Sequence, residues 1–314
     1  MNYNSLVVRK LVKQALKEDI GKRDITTELV IPREKFARAI ILAKEDCVVC
    51  GLKVAELVFK TKDKKLQFKT KVLDGQFVKR GKILVQVQGK ASPILTAERV
   101  ALNFLGLLSG IATKTRSYVN LAKPYKANPV RKSGKRRRSF SNGVKIMDTR
   151  KTIPGLRELE KYAVRVGGGY NHRFRLDEMV LVKDNHLAAS CVVRRASCVK
   201  KIIETIKKKK PKNVKIEIEV KNLREFKEAL KAEPDIIMLD NMKIGDMKKA
   251  VQLKNNLRTC EPENSRTKLE ASGGITLKNL EKVASTGVDM ISVGDLTHSV
   301  NSINISLEII YGKV

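Results

Sequence analysis

The sequence predicts an α/β fold in two parts, and three observations predict it. The first ninety residues alternate apolar and polar side chains over several runs and read as mostly sheet with one or two helices. At Ser92-Pro93 the pattern changes to a long run of helical period. From residue 144 onward, short apolar strands alternate with helical segments six times, which implies a parallel sheet with helical crossovers. Such a repeat suits a closed β/α barrel or an open doubly wound sheet, and the pattern leaves both open.

Taken in order, residues 4–17 place apolar side chains at helical spacing. FARAIILAKEDCVV reads as strand, and LQFKTKVL and KILVQVQG alternate with period two, as half-buried strands do. The piece DGQFVKRGKILVQVQG would also suit a small barrel that carries a lipoyl or biotinyl group, but Lys79 does not sit in the hairpin-tip setting of such a carrier lysine. Ser92 is the expected N-cap and Pro93 the first residue of a helix through ILTAERVALNFLGLLSGIATKTRSYVNLAK, which would link two domains. Then comes KPYKANPVRKSGKRRRSFSNG, in which residues 123–138 hold eight Lys or Arg and no acid, a composition that predicts a solvated loop. The expected strands beyond it are VKIM, MVLV, VKIEIEV, DIIML, KLEAS and DMISV. INISLEII alternates again and is expected to return to the N-terminal sheet. The first domain is therefore discontinuous, residues 1–102 with 299–314, around a second domain 103–298 that carries the basic insertion 123–143.

Composition narrows the class. Of 314 residues 42% are aliphatic, aromatic or thiol, enough for a sizeable core, while 19 glycines and 8 prolines are too few for a low-complexity polymer. Sixty-five Lys and Arg against 33 Asp and Glu leave a net charge of +32, which attracts anions of every size without choosing among phosphates, nucleic acid and membrane surface. Trp is absent and aromatics are 4%, so no stacking residues interleave the basic runs, which argues against nucleic-acid binding by base stacking. MNYNSLVVRKLVKQALKED lacks the apolar stretch and cleavage site of an export signal, and no run reaches the roughly 18 uncharged apolar residues of a membrane span. Five scattered cysteines (Cys47, Cys50, Cys191, Cys198, Cys260) read as reduced thiols in a cytoplasm. The C-x-x-C of Cys47 and Cys50 sits in an apolar run with no second pair and no nearby His, so it reads as packing.

In a β/α barrel the working residues project from the C-terminal ends of the strands. Those ends are Asp148-Thr149-Arg150-Lys151, Lys183-Asp184-Asn185-His186, Glu217 with Glu219, Asp240-Asn241, Ser272-Gly273-Gly274 and Gly294-Asp295. Loops are polar in general, but this set sorts into two cationic, two carboxylate and two glycine ends. Glycine turns before helices offer bare N–H groups and a positive helix terminus to phosphate. Glu219 and Asp240, on neighbouring strand ends, suit a Mg²⁺ carrying a diphosphate, or else an ion pair with Lys183 or Arg173. GGGYNHRF adds Asn171, His172 and Arg173, and the planar guanidinium groups of Arg150 and Arg173 suit a small polycarboxylate. His172, His186 and His298 are too far apart in sequence to form a zinc site by local spacing.

The stretches EDIGKRDITTELVIP, LTAERVALNFLGLLSGIAT, IMDTRKTIPGLRELEKYAVRVGGGYNHRF, MVLVKDNHL, IEIEV, IMLDNM, LEASGGI and VDMISVGDLTHS resemble, in order, those of the quinolinate phosphoribosyltransferases. The resemblance implies an N-terminal α/β sandwich domain, an incomplete α/β barrel of about seven strands, and a homodimer or a hexamer in the cytoplasm. It implies Mg²⁺-dependent transfer of phosphoribose from phosphoribosyl diphosphate to quinolinate with decarboxylation. By position it makes Arg99 the residue that reaches the partner's site. Thr149, Arg150, Lys151, His172, Arg173 and Lys183 fall in the quinolinate pocket, and Glu219 and Asp240 lie near ribose and Mg²⁺. Ser272, Gly273, Gly274, Val293, Gly294 and Asp295 match the phosphate-binding turns. Lys151, Lys183, Glu219 and Asp240 are the expected catalytic set. A related transferase acting on another small aromatic acid, a molybdate-operon relative, and a nucleic-acid binder on the same fold are the alternatives. Two stretches depart from the family pattern, the basic insertion and NNLRTCEPENSRTK, and neither removes a motif residue.

Overall fold

The structure, a computed structural model, describes residues 5–125, 143–190, 195–260 and 267–310. Most of the basic insertion expected at 123–143, part of NNLRTCEPENSRTK, and Cys191 lie outside the described residues.

Two compact units form, residues 1–116 with 152–168 and 296–314, and residues 117–151 with 169–295. The first begins with α1 (Leu6–Ile20), whose N-cap Ser5 accepts from Val8 N–H and which buries Val8, Val12 and Leu16 at four-residue spacing. Then come α2 (Ile25–Val30), β1 (Phe36–Ala43), β2 (Cys47–Val48), α3 (Leu52–Lys62), β3 (Gln67–Thr70), β4 (Phe77–Val78) and β5 (Ile83–Lys90). Helix α4 (Ala91–Ala122) follows, and it starts one residue before the expected Ser92 N-cap. Its most apolar stretch is long enough to cross a bilayer but is 67% buried, as the spine of a folded core is. After the second unit the chain comes back as β12 (Ile305–Ile310), antiparallel to β1 with Ile41 beside Leu307, and the sheet order is β12-β1-β5-β3. The expected return of INISLEII to the N-terminal sheet is thus the observed pairing. Cys47 and Cys50 are fully buried in this unit, and burial pushes both thiols up, Cys47 to about 11.

The second unit holds β6 (Lys145–Met147) and, after α5 (Arg157–Val166), β7 (Met179–Val182), α6 (Asp184–Ser190), α7 (Arg195–Lys209), β8 (Lys215–Val220), α8 (Leu223–Lys231), β9 (Ile236–Asp240) and α9 (Ile244–Cys260). It ends with β10 (Lys268–Ser272), α10 (Leu280–Ala284), β11 (Met290–Ser292) and, from Asp295, α11 (Asp295–His298). All six strands are parallel, in the order β6-β11-β10-β9-β8-β7. From β7 to β11 each strand is added on the same side, and β6, the first in sequence, then pairs with β11, the last. A doubly wound sheet reverses direction; this one curls back on its start as a barrel does. Against an expectation of about seven strands there are six among the described residues, and the seventh place is taken by a single parallel bridge between Met147 and Tyr170. Between Tyr170 and β7 the described residues form no pairing, so the barrel is incomplete.

The expected boundary at residue 102 is displaced. The units meet at Arg116 and Ser117, inside α4, and residues 152–168 belong to the first unit instead of the barrel. A cause is visible at Gly167, where an added Cβ would stand 2.6 Å from Ala112 O and 2.6 Å from Thr115 Cβ. Only glycine allows this approach to α4, which Arg116 secures by donating from Nε to Gly167 O (2.8 Å). Tyr162 on α5 likewise donates to Asp74 (2.9 Å), whose carboxylate also accepts from the N–H groups of Gly51 and Leu52.

Candidate active site

The six parallel strands share one polarity, so their C-terminal ends open together. Asp148 to Lys151 follow β6, Lys183 follows β7, Glu219 is next to last in β8, Asp240 and Ser272 end β9 and β10, and Val293 to Asp295 follow β11. Pairing sets Ser272 beside Asp240, and Val293 donates its N–H to Met147 O (2.9 Å).

Asp148 is fully buried and organises the cationic side of this mouth. Its carboxylate accepts from Asn171 Nδ2 and from His172 N–H (2.8 Å), while its own N–H donates to Tyr170 O. The loop after β6 is thereby tied to residues 170–172, and Thr149 Oγ1 turns the chain by accepting from Lys151 N–H (3.0 Å). Arg173 is buried and donates from one terminal nitrogen to Met179 O (2.9 Å). Burial and then the nearness of Arg150 lower its affinity for a proton, with Glu217 and Glu219 acting the other way. Two guanidinium groups held close, one buried and one half-buried, repel each other until an anion joins them.

Lys183 Nζ contacts Glu219 Oε1 at 2.9 Å, one of the ion pairs the sequence allowed. Asp240 is half-buried and accepts from Asn241 Nδ2 (3.0 Å). Asn241 has a φ of +52° and fills the space over Gly273, where a Cβ would lie 2.3 Å from its side chain. Gly273 itself has a φ of +93°, so any side chain there meets both backbone strain and a steric clash. The helix after this turn starts only at Leu280, six residues beyond Gly274, so bare amides, and not a helix terminus, are what the turn presents. Asp295 opens α11 and accepts from Tyr118 Oη (3.1 Å). Arg99 is exposed on α4, in the first unit. A separate apolar cavity of about 670 Å³ lies between β7 and α6–α7 and gathers no comparable set of polar groups.

Residues 24–109 match the model of the N-terminal domain of quinolinate phosphoribosyl transferase, and residues 111–308 match that of its C-terminal domain. The chain belongs to the quinolinate phosphoribosyltransferase family. It is 40% identical over 301 residues to a probable nicotinate-nucleotide pyrophosphorylase (carboxylating) of Methanocaldococcus jannaschii, covering 96% of both chains. It is 37% identical over 309 residues to the protein of the same description in Bacillus subtilis, covering 98% of this chain and 94% of that one. The solved structure of NadC from Streptococcus pyogenes aligns with a TM-score of 0.82 at 36% identity, over 98% of this chain and 97% of that one.

This quinolinate phosphoribosyltransferase family member also holds a group below the mouth, of which the sequence reading named His172 and Glu217 and missed Glu270. Glu217 and Glu270 are fully buried within β8 and β10, and His172 Nε2 lies 2.9 Å from Glu217 and 3.8 Å from Glu270. Arg173 N–H donates to His172 Nδ1 (2.9 Å), so Nδ1 keeps its lone pair and the ring hydrogen is on Nε2. Although one His and two carboxylates have the composition of a metal site, this tautomer leaves Nε2 no lone pair for an ion. His172 turns neither nitrogen to solvent; it steadies the backbone at Arg173 instead. The clue to Glu270 was an acid in the middle of an otherwise apolar parallel strand.

Burial, followed by the charge of Glu217, pushes Glu270 up from 4.5 to about 8, with His172 opposing. Between those values the folded chain binds more protons than the unfolded one, so this contribution to stability is complete below about 4.5 and is lost as pH rises through about 8. Glu270→Gln keeps the shape and removes the titration. Melting curves from pH 5.5 to 8.5 should show wild type losing stability relative to Glu270→Gln as pH rises. Parallel profiles would contradict the assignment.

Proposed function

We propose that the protein transfers phosphoribose from phosphoribosyl diphosphate to quinolinate, releasing diphosphate and CO₂ and forming nicotinate mononucleotide, in NAD biosynthesis. The observation that carries the substrate assignment is the buried guanidinium of Arg173 with that of the half-buried Arg150 near it, beside Lys151 and Lys183. A dicarboxylate on a flat ring satisfies two such groups in parallel hydrogen bonds.

The pyridine nitrogen owns its lone pair, so attack on the anomeric carbon of the ribose needs no general base. The bond from that carbon to the diphosphate oxygen breaks as the carbon–nitrogen bond forms. The chain's task is to align the reactants and to stabilise charge. Arg150, Lys151, Arg173 and Lys183 grip the ring, and Glu219 and Asp240 face the ribose as its anomeric centre turns cationic. The amides of the Ser272-Gly273-Gly274 turn and of Val293-Gly294-Asp295 receive phosphate oxygens. The alkylated, positive ring nitrogen then stabilises the electron pair left on the adjacent ring carbon when its carboxylate departs as CO₂, and that carbon takes up a proton from solvent to give nicotinate mononucleotide.

Glu219 and Asp240 offer hard oxygen donors on adjacent strands, a set that fits Mg²⁺ accompanied by water and phosphate oxygens. When bound, Mg²⁺ would supply charge neutralisation to the leaving diphosphate. Arg99 would complete the pocket of a second copy of the chain, and the burial and reduced state of Cys47 and Cys50 suit the cytoplasm.

The test is substrate choice. With phosphoribosyl diphosphate and Mg²⁺, quinolinate should turn over at least about a hundredfold more efficiently than nicotinate, because the missing carboxylate leaves a buried cation unpaired. Equal use of both would overturn the assignment in favour of a related transferase.

A further inference from the structure

The end of the barrel opposite the catalytic mouth is not plugged. A cavity of about 470 Å³ opens there, lined by the first residue of every barrel strand: Lys145, Met179, Lys215, Ile236, Lys268 and Met290. Its volume falls in the range of small-molecule sites. Three features specify what would fit. Lys215 and Lys268 are exposed and have no ion-pair partner among the described residues. Lys145 stands over the ring of Tyr170, 4.8 Å from its centre, and Tyr170 remains 43% exposed at the rim. Inside, Met147, Met179 and Met290 give soft apolar walls, and Arg173, nine-tenths buried, has no hydrogen-bond partner for its Nε. Four cations thus face two acids, Asp235 and Glu270, and Asp235 already accepts from Ile216 N–H (2.8 Å).

We infer that this second opening is a binding site for a nucleoside monophosphate, with the phosphate among Lys145, Lys215 and Lys268 and the base between Tyr170 and the methionine walls. An aromatic ring beside a phosphate is the chemistry that lysines at the rim and an exposed aromatic with thioethers behind it recognise together. Arg173 also serves the proposed quinolinate pocket, so occupancy would be felt there. The site itself does not rest on that reading, and binding, not turnover, is its test.

Adenosine monophosphate is titrated calorimetrically into the full chain, into the Lys215→Ala/Lys268→Ala double variant, into Tyr170→Leu and into Lys151→Ala, each checked for an unchanged melting profile. The expected result is one nucleotide per chain, bound at least tenfold more weakly by the double variant and by Tyr170→Leu, with Lys151→Ala near wild type. The double variant, altered only at exposed side chains, decides. Absence of binding to millimolar concentration, or binding that survives the double variant, overturns the proposal. Inorganic phosphate binding as tightly as the nucleotide, together with indifference to Tyr170→Leu, overturns the nucleotide assignment.

Discussion

Replacing Arg150 with Ala should lower kcat/KM for quinolinate by about a hundred- to a few thousandfold while the protein stays folded. Arg150 lies close enough to Arg173 to disfavour its charge, and its position after β6 is fixed by the buried Asp148. Removing one member of a desolvated ion pair costs about 3–5 kcal/mol, because the partner charge is left without compensation. At 1.4 kcal/mol per factor of ten this corresponds to the stated loss. Arg150→Lys should recover only part of it, since a single ammonium cannot make two parallel hydrogen bonds to a carboxylate. Steady-state kinetics at a fixed, saturating concentration of phosphoribosyl diphosphate measure the effect. A loss below about fivefold would mean that Arg150 serves the loop and not the substrate.

Arg99→Ala and Lys151→Ala are each expected to be inactive alone and to regain activity when mixed. Arg99 is exposed on α4, in the unit that does not contain the strand-end residues. If it serves a partner's pocket, a heterodimer has one site with both defects and one with neither. Recovery should then approach half of wild type per dimer under closed two-fold symmetry. Subunit exchange is confirmed with differently tagged chains. Exchange without recovery would show that Arg99 acts within its own chain or supports the fold alone.

The strands of the second unit were legible because each is a short apolar run closed by a polar or glycine residue, and parallel strands buried on both faces must read that way. The order of those strands was not. Period and composition are the same in a barrel and in a doubly wound sheet, and only the pairing of β6 with β11 separates them. The unit boundary was hidden for a similar reason, since it falls within the continuous helix α4, where no turn residue marks it. The transfer of residues 152–168 to the first unit depends on the close approach of Gly167 to α4, a tertiary fact. Among site residues, those at or just after strand ends were found by position, whereas Glu270 lies at the middle of a strand and was passed over. The lysines that begin β6, β8 and β10 were passed over as well, because attention to C-terminal ends looks away from the other end of the barrel.

Loss of one carboxylate of quinolinate, and only after ribosylation, measures the proposed reaction most directly. Quinolinate labelled in the 2-carboxylate is incubated with phosphoribosyl diphosphate, Mg²⁺ and the purified protein, and labelled CO₂, diphosphate and nicotinate mononucleotide are followed together. One of each is expected per turnover, formed in step, with no CO₂ from quinolinate alone because the ring nitrogen must first become positive. Folded protein that yields no nicotinate mononucleotide, or that releases labelled CO₂ without phosphoribosyl diphosphate, would contradict it.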